Sequence, residues 1–140
     1  GILNMYKIEK KEFGLWLTFG GLIYAEEMEA WYNDFKVALT DFNEDFTVFV
    51  DMRTLKPLSK EAQEFMFKGQ VAAKEQGMIR SVVILNNPVT TVQFKRIAQE
   101  TGIYEWERYI DASTNQDWER IGLDWLLKKI DPEMNTVPVR

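Results

Sequence analysis

Phe46-Thr47-Val48-Phe49-Val50 opens the stretch that decides the fold, and Ser81-Val82-Val83-Ile84-Leu85 closes it. Both are short runs of apolar, β-branched and aromatic residues, the pattern of strands covered on both faces. Between them lie a polar turn, Asp51-Met52-Arg53-Thr54-Leu55-Lys56-Pro57-Leu58, and a helical pattern from Ser59 to about Gln76, stopped by Gly77. Two buried strands joined through a helix are parallel neighbours with a right-handed crossover. That unit predicts an α/β sheet, with a site at the carboxyl ends of its strands.

Working outward, Tyr6-Lys7-Ile8-Glu9 and Leu15-Trp16-Leu17-Thr18-Phe19 read as a hairpin around Lys10-Lys11-Glu12 and Gly14. Ala25, Met28, Tyr32, Phe35 and Leu39 recur at three- and four-residue steps and predict a helix over Ala25 to Leu39. In the helix from Ser59, the apolar stripe is Ala62, Phe65, Met66, Gly69, Ala72 and Ala73, whose small members allow close approach to the sheet. Asn87-Pro88 caps a third helix that ends before Gly102. Tyr104 to Ile110 reads as a half-polar fifth strand, at the sheet edge or covered on one side only. Thr114 to Asp117 resembles a capping box for a last helix carrying Trp118, Ile121 and Trp125, which Asp131-Pro132 stops. The expected order is ββαβαβαβα: a mixed, mostly parallel five-stranded sheet flanked by four helices, one domain over residues 1–140. Gly1 to Asn4 read as a tag remnant or disordered start, and 131–140 as a tail.

Composition narrows the function. The chain has 140 residues, 46% hydrophobic and 14% aromatic, which supplies an ample core for one domain. A net charge of −5 with scattered basic residues argues against a nucleic-acid surface. No apolar run approaches the roughly 20 residues of a membrane span, so none is expected, and the cytoplasm is the default location. There is no cysteine for a disulfide or thiolate site, and no histidine, the commonest general base and metal ligand. Neither metal nor cofactor is expected. No phosphate loop, dinucleotide fingerprint or nucleophile elbow occurs.

The candidate site follows the buried third strand. Asp51, Arg53, Thr54, Ser59 and Lys60 belong to that edge, with Asn86 and Asn87 from the next strand. The helix start at Ser59 offers backbone N–H groups to an anion, and Arg53 and Lys60 would add charge-assisted hydrogen bonds. Leu55 and Leu58, flanking Pro57, are the expected apolar anchors of an exposed partner-binding loop. The bland alternative makes Ser59 an N-cap and lets Asp51 pair with Arg53. Asp51 is also the carboxylate best placed for catalysis, the weakest of the readings. The five tryptophans are spread over strands and helices, which points to core packing rather than one ligand cage.

With this order in place the chain resembles a STAS domain, the fold of bacterial anti-sigma factor antagonists and of the cytoplasmic tails of sulfate transporters. The resemblance rests on Gly21-Leu22-Ile23 after the second strand, Phe46 to Asp51 ending in an acidic residue, the loop to Ser59, the apolar second helix, and Met78 to Leu85. It implies a non-enzymatic regulatory or protein-interaction domain whose serine at the second helix start is phosphorylated by a kinase. This chain reads Pro57-Leu58-Ser59-Lys60-Glu61-Ala62 there, so Ser59 falls near the family's aspartate and Lys60 near its phosphorylated hydroxyl. Ser59 is the candidate phosphorylation site. The STAS-like branch that also resembles CRAL-TRIO lipid-binding proteins lacks the phosphoserine motif, and it implies an apolar small molecule or lipid as the alternative ligand. A protein partner is expected first, and a homodimer is compatible with the same reading.

Overall fold

The computed structural model describes residues 5–134. The expected remnant at Gly1 to Asn4 and the tail from Thr136 onward lie outside them. The order is β1 (Tyr6–Lys11), β2 (Gly14–Gly21), α1 (Ala25–Leu39), β3 (Phe46–Leu55), α2 (Lys60–Gln76), β4 (Met78–Leu85), α3 (Pro88–Thr101), β5 (Glu107–Asp111) and α4 (Trp118–Lys128). The strands form a single five-stranded sheet in the order β1-β2-β3-β4-β5. β1 and β2 pair antiparallel, and the pairs β2–β3, β3–β4 and β4–β5 are parallel. Thus β3 and β4 are adjacent parallel strands, as their apolar runs predict, and Phe46 to Val50 and Ser81 to Leu85 are buried throughout.

Strand alternation distributes the core over two faces. Leu15, Leu17 and Phe19 of β2, Val48, Val50 and Met52 of β3, and Val83 and Leu85 of β4 pack with α1, α2 and α3. Phe49, Val82, Ile84 and Ile110 point the other way and pack with Trp125 and Leu126 of α4. One helix therefore serves a face whose opposite side has three. Two glycines make close helix approaches. A Cβ at Gly69 of α2 would stand 2.3 Å from Trp31 Cη2, and one at Gly122 of α4 would stand 2.7 Å from Phe49 Cε2.

Several local expectations are corrected. β3 runs five residues beyond Val50, so Asp51 to Leu55 form strand rather than turn. Thr18 pairs with Asp51 and Gly20 with Thr54, which sets one residue of β2, Phe19, against two of β3, Met52 and Arg53, a bulge. The bulge shifts the alternation, so Leu55 joins Met52 on the three-helix face although the two are three positions apart, an odd spacing. Tyr104 is not strand: a 3-10 turn, Ile103–Glu105, precedes β5. No capping box forms at Thr114, because Asp111 organises the segment. Its Oδ1 accepts from the N–H and hydroxyl of Ser113, its backbone oxygen accepts from Asn115 Nδ2, and α4 begins after Asp117 without a side-chain cap. The chain after α4 is held in place. Asp131 takes a bidentate bond from Arg108, Nε to Oδ1 and Nη2 to Oδ2 both 3.0 Å, and Pro132 is buried.

Candidate functional site

The predicted site residues separate into three groups. Asp51 lies on the α4 face, 7% exposed, and Arg53 grips it through Nε and Nη2 at 3.0 Å each. The guanidinium also lies 4.1 Å from the Trp118 ring centre, and Trp118 contacts Phe49, which stacks on Trp16 at 3.9 Å. The bond to Asp51 raises the pKa of Arg53 against the opposing effect of burial. Ser59 and Lys60 stand at the start of α2, and Asn86 and Asn87 at the start of α3. Thr54 is exposed beside Gly20.

The expected anion site around Arg53, Ser59 and Lys60 is not assembled. Arg53 is engaged with Asp51 on one face, while α2 begins on the other. The helix-start donors also have partners. Ser59 Oγ accepts from Ala62 N–H at 3.2 Å, and Asn87 Oδ1 accepts from Val89 N–H at 2.9 Å and Thr90 N–H at 3.2 Å. Both residues are N-caps, and Ser59 itself remains exposed.

Leu55 and Leu58 require the clearest correction. They are 2% and 4% exposed and belong to the core, so neither can anchor a partner. Their loop is instead a fixed part of the sheet's carboxyl rim. Lys56 N–H donates to Gly21 O at 3.0 Å, which holds the loop beside the β2–α1 connection. Leu58 N–H donates to Gln93 Oε1 at 2.8 Å, Gln93 Nε2 donates back to Leu58 O at 2.9 Å, and Thr90 Oγ1 donates to Leu55 O, which tie the loop to α3. The large apolar side chains exposed along this rim are Leu22 at 47%, Tyr24 at 62% and Val89.

A second polar constellation was not anticipated. Glu107 of β5 is 5% exposed on the three-helix face. It accepts from Ser81 Oγ and from the Tyr109 hydroxyl, each at 2.6 Å. Burial pushes its pKa up to about 7, although both hydrogen bonds pull it down. Tyr109 is held well above the ordinary phenol value by burial and then by the adjacent Glu107 carboxylate. Tyr109 also lines a cleft of about 340 Å³ at the carboxyl ends of β4 and β5, with Asn86, Asn87, Lys95, Asp111 and Ser113. The sequence signal was Ser81 at the head of an apolar run. The two-residue spacing of Glu107 and Tyr109 places both on one strand face.

The core between the sheet and α1–α3 contains a cavity of about 30 Å³, mostly apolar in lining. Ligand pockets span roughly 300–1,000 Å³, so this space does not accommodate the apolar ligand of the alternative reading. Among the described residues no group of His, Cys, Asp or Glu is placed to hold a metal ion, and no helix is long and apolar enough to cross a membrane. Comparison with family models, with curated proteins and with solved structures finds no match for this chain.

Proposed function

We propose that this chain is a non-enzymatic, STAS-like regulatory domain that binds a protein partner at the carboxyl rim of its sheet. The observation that carries the reading is the stitched rim. Backbone and Gln93 bonds fix the loops after β2 and β3 and the start of α3 to one another, with Leu22, Tyr24 and Val89 exposed along them. Apolar and aromatic side chains held on a rigid base lose little conformational entropy on binding, which is what an interaction anchor needs. The polar members Lys56, Ser59 and Lys60 stand in the same rim. Ser59 is exposed at a helix start, where added phosphate meets the positive end of the helix dipole, so it is the hydroxyl on which regulation would act.

Photo-crosslinking in cells tests this reading. A benzophenone side chain placed at Leu22 or Tyr24 is expected to yield discrete crosslinked species, and the same group at Val37, exposed on α1 away from the rim, is expected to yield none. Equal capture at all three positions, or none at any, would overturn the assignment.

A further inference from the structure

The connections that follow the parallel strands do not all leave the sheet on one side. After β2, β3 and β4 they lead to α1, α2 and α3 on one face, and after β5 to α4 on the other. The chain therefore parts around the carboxyl ends of β4 and β5, where Leu85 pairs with Asp111 and Ala112 N–H donates to Leu85 O at 2.8 Å. In open α/β sheets such a switch point creates the crevice that receives ligands. The cleft of about 340 Å³ described above occupies this position. Its volume is at the small end of the range for metabolite sites, which calls for a compact polar ligand.

The chemistry of the lining specifies that ligand. Lys95 is half-buried, its ammonium 5.4 Å from the Tyr109 ring centre, and among the described residues no carboxylate pairs with it. Asp111 lines the same cleft with no cationic partner among the described residues, and its Oδ1 already accepts both Ser113 donors. Opposite charges thus line one crevice without neutralising each other. The Tyr109 hydroxyl is engaged by Glu107. Asn87 Oδ1 is engaged in capping α3, which leaves its amide NH₂ as a donor.

We propose that this cleft binds a small zwitterion of the free α-amino acid class, its carboxylate held by Lys95 and the Asn87 amide and its ammonium by Asp111. The partner-binding rim uses other residues, so the two readings stand or fall separately. The test is a titration of the ¹⁵N-labelled protein with each free proteinogenic L-amino acid, followed by N-acetyl and carboxamide derivatives of any that bind. Saturable shifts are expected at the backbone amides of Asn86, Lys95, Tyr109 and Asp111. Blocking either charged group of the ligand should weaken binding by roughly tenfold or more, the scale of one lost charge-assisted contact. Lys95→Met should do the same, with the spectrum otherwise dispersed as in the parent. Asp111→Asn, which retains an acceptor for Ser113, supplies the second variant should Lys95→Met fail to fold. The absence of saturable shifts with every amino acid, undiminished binding of the blocked derivatives, or undiminished binding by the variants would each overturn the proposal.

Discussion

The two faces of the sheet each bury a strand carboxyl, and they accommodate it in opposite ways. On the α4 face, Asp51 meets a guanidinium that is itself stacked on Trp118, so charge answers charge at the margin of a small core. On the three-helix face, Glu107 meets the hydroxyls of Ser81 and Tyr109, and among the described residues no cation pairs with it. The difference follows from depth and helix coverage. A face with one short helix leaves Arg53 room to keep its guanidinium partly in water, while the deeper face excludes any such side chain. Burial beside solvent can retain an ion pair, whereas full burial favours the protonated acid.

That contrast predicts opposite responses to mutation. For Glu107 the sign is set by a pKa raised from its ordinary value of 4.5 to about 7. Between those values the folded protein holds a proton that the unfolded chain has released, so stability is full below about pH 4.5, falls as pH rises through 7, and stays low above it. A shift of this size corresponds to a loss on the order of 3 kcal/mol across the window. Glu107→Gln should remove most of that slope and leave the protein more stable than the parent at pH 8, measured by urea unfolding at pH 5 and pH 8. A parent with pH-independent stability over this window would break the comparison.

Close packing supplies the next effect, again one test per face. Gly69→Ala drives a methyl into Trp31, which is fixed by stacking on Phe35 at 4.8 Å and by an edge contact with Phe19. Overpacking should exceed the helix-propensity gain and leave a net loss of about 2 kcal/mol. Trp31 Nε1 has no hydrogen-bond partner among the described residues, so Trp31→Phe removes an unsatisfied donor as well as the obstructing ring atoms. In that background Gly69→Ala should become neutral or stabilising, which a double-mutant cycle by thermal unfolding reads directly. Gly122→Ala, where the nearest atom is 2.7 Å away at Phe49 Cε2, should lose about half as much.

Arg53→Leu tests the ion pair. It strands a carboxylate whose side chain is only 10% exposed, yet the site is marginal rather than deep. A loss of about 1–2 kcal/mol at pH 7 is expected, between the values for surface and buried pairs. Arg53→Leu combined with Asp51→Asn should lose less than Arg53→Leu alone, because no buried charge is then left unpaired. Equal losses in the single and double variants would show that the stacking on Trp118, and not the charge, is what the arginine contributes.

The strand–helix–strand unit, the strand order and the helix-facing stripe of α2 were legible because each follows a simple period. The reading of the site failed where that period was interrupted. Leu55 and Leu58 flank Pro57 among polar residues and read as an exposed loop. A bulge, visible only once β2 and β3 are paired, returns Leu55 to the core face. Asp51 and Arg53 are two residues apart and so share a strand face, but the identity of that face depends on which helices cover it. The half-polar pattern around Glu107 fits a strand at the sheet edge or covered on one side, and β5 is an edge strand, but the pattern does not say that Glu107 lies on the covered side. Its burial depends on the long-range packing of β5 beside Ser81, which no local pattern encodes. Lys95 and Asp111 are 16 positions apart, and only the opposite departures of the chains after β4 and β5 bring them to one crevice.

The smallest effect falls at the rim, where the two faces meet. Ser59 caps α2 through a single 3.2 Å bond from Ala62 N–H and is exposed, so Ser59→Ala should lose about 1 kcal/mol, the usual value of an N-cap hydroxyl. Ser59→Asp replaces one good cap with another and adds a negative charge at the positive end of the helix dipole, so it should unfold at or slightly above the parent temperature. If Ser59 is the regulated hydroxyl, Ser59→Asp should also change the photo-crosslinks formed at Leu22 and Tyr24, while Ser59→Ala leaves them as in the parent. A stability change with unaltered crosslinks in both variants would reduce Ser59 to a helix cap. Crosslinks altered only by Ser59→Asp would tie charge at the start of α2 to recognition at the rim, in a variant whose fold is unperturbed.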